Sequence, residues 1–458
     1  MTVAILRTLE SMLRSGVRRY GVPGASLAVL RGRRVHAAAA GVINLDTKVR
    51  ATPDTLFQIG SITKTLTATM VMQLVDEGLL DLDTPIAEYV PEFRVARLDV
   101  SRSVTARHLL SHTSGIDGDL MSDSGRGDDA IQRLLAQARL LPSLYDPGEM
   151  MSYCNFGFAV LGRTIEVLRS CTYDQALQRY LFAPLGMTHA VSLPEDTLRY
   201  RSAIGHVPGT KRKPALRVAP VSYLTHGQKA AGATPAMSAS DLLKFVRMHL
   251  DKGRSEAGER VLSAGSVRAM QRRQVRLARH MDRGLKAWGL GWFLMDWNGT
   301  KLFGHEGGTI GQSAYLRILP SQNTAVALLT NGGDAQSLYL HVIDEVLGGL
   351  TGVHPPEPPA LAARQPDLDP YVGTYANIAG RITLDVRNGQ LQATARSLDS
   401  GKVMPPGRIP LGFVDRATVR VATGDPLFDR SCMHFAGFDA ERGPAFLQNG
   451  MRQFKRQG

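Results

Sequence analysis

A chain of 458 residues, 43% apolar and 21% charged, can bury a large core in two or three domains, and its composition excludes a disordered, collagen-like or disulfide-stapled protein. The formal charge of +13 sits on arginines scattered along the chain, with small groups such as Arg31, Arg33, Arg34 and Lys211, Arg212, Lys213 reading as turns and solvated loops. A nucleic-acid partner is therefore not expected. Cys154, Cys171 and Cys432 leave at least one thiol unpaired, and no Cys/His spacing matches a metal site, so no cofactor is expected.

Ile5, Leu6, Leu9, Met12, Leu13 and Val17 recur at helical spacing, interrupted by Arg7, Glu10 and Arg14. That is an amphipathic helix without the continuous apolar run of a signal peptide. No stretch reaches bilayer-spanning length, and a cytoplasmic location is expected. Gly21-Val22-Pro23-Gly24 breaks the helix before two strands at 25–30 and 35–42.

The run Phe57-Gln58-Ile59-Gly60-Ser61-Ile62-Thr63-Lys64 then enters an apolar-periodic helix at 66–80. Ser61 and Lys64, three apart, share one helix face, so an amine can reach a hydroxyl. The helix N-terminus favours an alkoxide or oxyanion beside the serine, and Gly60 leaves the backbone room. A chain of this length holds roughly one Ser-x-x-Lys by chance, so the pattern needs companions.

A short helix at 104–110 closes in the polar turn Ser111-His112-Thr113-Ser114-Gly115. His112 reads as a hydrogen-bonded loop histidine, since no carboxylate or nucleophile accompanies it in sequence. Residues 117–129, rich in Gly, Asp and Ser, read as a surface loop. After the turn Asp146-Pro147-Gly148, Tyr153 and Asn155 stand two apart before an apolar helix, so both side chains can face one cleft. Tyr-x-Asn is weak by itself, because Tyr375-Ala376-Asn377 repeats it where no catalytic role is expected.

Further helices are expected at 173–187 and 240–250, the latter capped by Ser238 or Ser240. Strands at 289–293, 301–305, 313–319 and 324–330 form an antiparallel meander around His305-Glu306-Gly307-Gly308, whose glycines mark a close approach to the backbone. A helix at 337–350 closes the unit and packs with the first helix on one face of the sheet. Pro355, Pro356, Pro358, Pro359 and Pro366 mark a linker at 353–370. Short strands at 372–375, 382–386, 391–395, 418–421 and 446–448, with a hairpin turn at Asn388-Gly389, make a small separate β domain at 371–458 in which nothing reads as catalytic.

Ser61-Ile62-Thr63-Lys64, Tyr153-Cys154-Asn155 and His305-Glu306-Gly307, in that order, together with Leu110-Ser111-His112-Thr113-Ser114-Gly115 and Pro184-Leu185-Gly186-Met187, resemble the serine β-lactamase and penicillin-binding protein superfamily. Within it they resemble the branch that holds class C β-lactamases, D-aminopeptidases, low-molecular-weight D-peptidases and β-lactamase-like esterases. The resemblance spans about residues 1–350. It implies an α+β fold, an antiparallel sheet flanked by helices plus an all-helical region, in a hydrolase unit at 1–352. It further implies that Ser61 is acylated by an ester or amide, that Lys64 and Tyr153 move its proton, and that Asn155 positions Lys64 and the substrate. The backbone N–H groups of Ser61 and Gly308 would form an oxyanion hole beside Gly307.

Free in water, the lysine amine and the tyrosine hydroxyl each titrate about 3 units above neutrality, so a neutral amine or a phenolate costs roughly 4 to 5 kcal/mol unless the site shifts it. His305 stands where class C enzymes carry lysine. Glu306 stands where a hydroxyl residue commonly holds a substrate carboxylate. An acid facing the cleft there would repel β-lactams and free peptide carboxylates and favour neutral esters or amides. The expected partner is thus a small ester, amide or peptide substrate. A D-amino-acid peptidase, a D-alanyl carboxypeptidase, a β-lactamase, an acyltransferase or a non-catalytic scaffold on the same fold are the alternatives.

Overall fold

The computed structural model describes residues 2–210, 213–397, 407–425, 428–439 and 443–458. Lys211, Arg212 and the side chains of Ile5, Leu6 and Arg7 lie outside the described set. The amphipathic first segment forms α1 (Thr2–Arg19). It leads into a hairpin of β1 (Gly24–Arg31) and β2 (Arg34–Gly41). The buried helix after the serine is α2 (Thr63–Asp76). An all-helical region follows, including α3 (Asn155–Arg169), and α4 (Ala239–Leu250) returns the chain to the sheet, its Ser238 cap accepting from Asp241 N at 3.1 Å.

The meander supplies β3 (Val275–Arg276), β4 (Leu285–Trp288), β5 (Phe293–Trp297), β6 (Thr300–Thr309), β7 (Gln312–Leu319) and β8 (Thr324–Thr330). All pairings are antiparallel, in the order β2-β1-β8-β7-β6-β5-β4-β3. Residues 289–293, expected as a strand, are mainly the turn between β4 and β5. Gly291 takes φ +80° there, and a side chain on Gly289 would strike the Met270 carbonyl at 2.1 Å.

Period-two alternation gives the sheet two apolar faces. Ala28, Leu30, Ala325, Ala327 and Leu329 join α2 and α4 in one core. Leu27, Val29, Val326 and Leu328 join Leu9, Leu13 and Val17 of α1 and Leu338, Tyr339 and Val342 of α5 (Ala335–Val342) in the other. The first and last helices of this unit therefore share a face, as expected. The helix predicted over 337–350 continues past α5 as a π-helical stretch, Ile343–Gly348, and ends in a short α-helical turn, Gly349–Thr351.

The C-terminal strands close on themselves. They are β9 (Gly373–Ala376), β10 (Gly380–Arg387), β11 (Gln390–Ser397), β12 (Ile409–Asp415), β13 (Thr418–Val421), β14 (Cys432–Asp439), β15 (Gly443–Asn449) and β16 (Arg452–Arg456). Together they form an eight-stranded antiparallel barrel around Tyr375, Leu384, Leu391, Leu411, Phe413, Phe435 and Leu447. Asn388 and Gly389 both have positive φ, as the tight hairpin between β10 and β11 requires. The proline-rich stretch lies along the barrel, with Ala362 N donating to Phe413 O and Arg420 Nη1 to Pro359 O. Among the described residues, no helix is long and apolar enough to cross a membrane.

Candidate active site

Ser61 sits in a single 3-10 turn, Gly60–Ile62, that runs directly into α2. The expected α-helical start is tightened by one turn, yet Lys64 still follows on the serine's face. Gly60 adopts φ +51°, and a Cβ there would lie 2.6 Å from Gly308 N. A Cβ on Gly307 would lie 1.9 Å from Ile59 O. Only glycine lets the turn and β6 touch backbone to backbone. Strand β5 pairs with β6 no further than Gly304, so the edge from His305 to Thr309 is left free on that side and faces the serine turn.

Lys64 is fully buried. Its Nζ lies 3.0 Å from Ser61 Oγ, 2.8 Å from Asn155 Oδ1 and 2.6 Å from Ala231 O. Burial, reinforced by the charge of Arg452, holds its pKa well below the ordinary lysine value. The Tyr153 hydroxyl lies near Ser61, and burial raises its pKa above the usual phenol range although the serine favours the charged form. Burial thus opposes charge on both groups, whose Nζ and tyrosine ring centre lie 4.8 Å apart. This works against a resting ammonium-phenolate pair: desolvation of two adjacent groups disfavours both charges.

His112 is buried with φ +57°. Its Nδ1 accepts from Cys154 N at 3.0 Å and its ring stacks on Tyr153 at 4.3 Å, so it buttresses the tyrosine as a neutral imidazole. His305 is buried between Trp288 and Phe293, its pKa pushed down to about 3 by burial.

Glu306 lines the cleft, but both carboxylate oxygens are taken, one by Arg283 and one by Arg317. The two guanidiniums hold its pKa at about 2 against burial. The expectation of a repulsive acid is corrected: Arg283 and Arg317 offset Glu306, and with Asp282 3.5 Å from Arg283 the formal charges of the cluster cancel.

A cleft of about 430 Å³ lies over these groups, lined by Ser61, Tyr153, Asn155, His305, Glu306, Gly307 and Gly308, and also by Met451 and Arg452 of the barrel. The C-terminal strands form the separate β domain expected, and that domain also supplies part of the cleft's lining. Tyr153 N donates to Met451 O at 2.7 Å and Gln453 N to Ser152 Oγ at 3.1 Å. Arg452 is ion-paired with Asp119, and Asn155 Nδ2 donates to Asp119 Oδ1 at 2.8 Å. Sequence reading missed Asp119, Ala231 and Arg452. A trace of the last was Asn449-Gly450, a further Asn-Gly hairpin signal just ahead of it.

The model of the family described as Beta-lactamase matches residues 9–341. The chain belongs to this family of serine hydrolases. This beta-lactamase family member is 43% identical over 366 residues to Penicillin-binding protein 4 of Amycolatopsis lactamdurans, covering 79% of this chain and 95% of that protein. The crystal structure of SurE superposes with a TM-score of 0.81 at 27% identity, covering 99% of each chain. SurE has also been solved with D-Leu, at a TM-score of 0.76 and 26% identity over 99% of this chain and 100% of that one. D-amino acid amidase from Ochrobactrum anthropi SV3, complexed with D-phenylalanine, superposes with a TM-score of 0.62 at 26% identity, covering 74% of this chain and 96% of that chain.

Proposed function

We propose that the protein cleaves an ester or amide bond through an acyl-enzyme on Ser61. The observation that carries this reading is the hydrogen bonding of Lys64. A neutral amine has two N–H donors and one lone pair. Nζ lies within hydrogen-bond reach of three acceptors, Ser61 Oγ, Asn155 Oδ1 and Ala231 O. Once the amine is neutral, its two donors serve Asn155 and Ala231 and its lone pair is left to take the Ser61 proton at 3.0 Å. Ser61 Oγ attacks the carbonyl carbon as its proton passes to Lys64, and the backbone N–H groups of Ser61 and Gly308 receive the oxyanion. Tyr153, beside the same hydroxyl in the cleft, relays the proton to the leaving amine or alcohol. Water then attacks the acyl carbon, its proton returns by the same groups, and Ser61 is regenerated.

In this reading residues 1–352 form the hydrolase unit, 353–370 the connection and 371–458 the barrel. The test is labelling by a fluorophosphonate and turnover of p-nitrophenyl acetate, each run beside Ser61→Ala. Labelling and turnover that vanish in the variant are expected, and their absence in the wild type would sink the hydrolase in favour of a scaffold.

A second reading within the same chemistry is an acyl donor of D configuration. It is favoured by the pairing of Glu306 with two arginines, which removes the repulsion of peptide carboxylates. It is also favoured by likeness to two proteins solved with D-Leu and D-phenylalanine. Faster release from D-phenylalaninamide than from its L enantiomer is expected, and equal rates would return the choice to a broad esterase or amidase.

A further inference from the structure

We propose that Arg452, carried by the C-terminal barrel, is a positioning residue for the nucleophile: through Asp119 and Asn155 it fixes how Lys64 presents itself to Ser61. The inference rests on the acyl-enzyme reading.

The chain of contacts is continuous. Arg452 engages both oxygens of Asp119, Nη2 reaching Oδ1 at 3.1 Å. Asp119 Oδ1 accepts from Asn155 Nδ2 at 2.8 Å, and Asn155 Oδ1 faces Lys64 Nζ at 2.8 Å. A carboxylate only accepts, so Asp119 forces the Asn155 amide to turn its NH2 outward and its oxygen toward Lys64. A flipped amide would aim donors at the amine and compete with Ser61 for its lone pair. Orientation of one buried amide thus decides whether the lone pair is free for the serine.

The hairpin that bears Arg452 is held against the site by its backbone. Gly450 turns with φ +56°, Met451 O accepts from Tyr153 N, and Gln453 N donates to Ser152 Oγ. The guanidinium lies 5.2 Å over the Tyr153 ring. The other titratable groups around Lys64 are Tyr153 and Cys154 before α3, His112 in its loop and His305 on β6. Burial keeps all four uncharged near neutral pH. Asp119 and Arg452 are thus the charged pair that acts on the amine, with opposite signs.

The test is the pH profile of fluorophosphonate labelling at Ser61 in the full-length protein, with kcat and KM for p-nitrophenyl acetate in parallel. Arg452→Met leaves the Asp119 charge unbalanced and favours the ammonium, so the acid limb moves up by about one pH unit. Asp119→Asn leaves the guanidinium unbalanced, so the limb moves down. Arg452→Lys keeps the wild-type limb, and the double change Asp119→Asn with Arg452→Met brings it back toward wild type even if the single variants fold poorly. Limbs that stay together, or that move in the same direction in both single variants, overturn the proposal. So does a rise in KM alone, which would assign Arg452 to gripping substrate. A wild type that never labels at Ser61 removes the underlying reading, an outcome distinct from unmoved limbs in labelled proteins.

Discussion

At the scale of single residues, the cleft disfavours charge on the groups proposed to react. Lys64 and Tyr153 are both buried, and each is more easily kept neutral than ionised there. Because the folded pKa of Lys64 is lowered, the reactive amine accumulates as pH rises through that lowered value and is protonated below it. Labelling rate should therefore climb with pH to a plateau reached well short of the ordinary lysine pKa, and a rate still rising at pH 10 would mean that Lys64 rests as an ammonium. Tyr153→Phe keeps the stacking on His112 and removes only the hydroxyl at Ser61. Turnover of p-nitrophenyl acetate should fall by at least about 100-fold if that hydroxyl relays the proton. A nearly unchanged rate would leave Lys64 to act alone.

At the scale of elements, the site is a contact between a 3-10 turn and the free edge of β6, and its tolerance is set by backbone atoms. Gly307→Ala would place a methyl 1.9 Å from Ile59 O, where no side chain can yield. Displacing Ser61 from its partners should lower labelling by about 100-fold, since misplacement of an angstrom is enough, and relieving the overlap should cost the fold about 1–3 kcal/mol in urea titration. On the same strand, Glu306 neutralises Arg317, which is fully buried and has the Tyr339 ring 4.9 Å away. Glu306→Gln leaves that guanidinium uncompensated and should destabilise the fold by about 3 kcal/mol in urea titration. A loss below about 1 kcal/mol would show that Arg317 finds another acceptor.

At the scale of the whole molecule, the barrel and the hydrolase unit share polar contacts, one of which titrates. Asp117 is buried and accepts from Ile378 N of the barrel at 2.7 Å. Burial, with the nearby Asp119 charge adding to it, raises its pKa from the ordinary carboxylate value of 3.8 to about 6. A raised folded pKa contributes stability that is complete below the unfolded value and is lost as pH rises through about 6. Asp117→Asn keeps an acceptor for Ile378 without the charge. Relative to wild type it should gain up to about 3 kcal/mol between pH 4 and pH 7.5. Urea titrations at those two pH values measure the difference, and a constant offset would exclude Asp117 as its source.

Much of this was legible in the chain. Ser61 and Lys64 follow from a three-residue spacing, α1, α2 and α4 from apolar periodicity, and the β10–β11 hairpin from Asn388-Gly389, because such signals are local and backbone geometry converts them directly into shape. Strands β12, β14 and β16 were not foreseen, and their partners lie on other barrel strands. The α+β class and the order of the three motifs were likewise open to reading. The charge environment was not, since it depends on residues distant in sequence. Glu306 read as a repulsive acid until Arg283 and Arg317 were seen on its oxygens. Arg452 stands 333 positions from Asp119, and no periodicity connects them. Sequence by itself determined which groups could do serine chemistry. Tertiary structure alone decided which of them are charged, and that the barrel reaches into the cleft, because burial and ion pairing arise only when separate segments exclude water together.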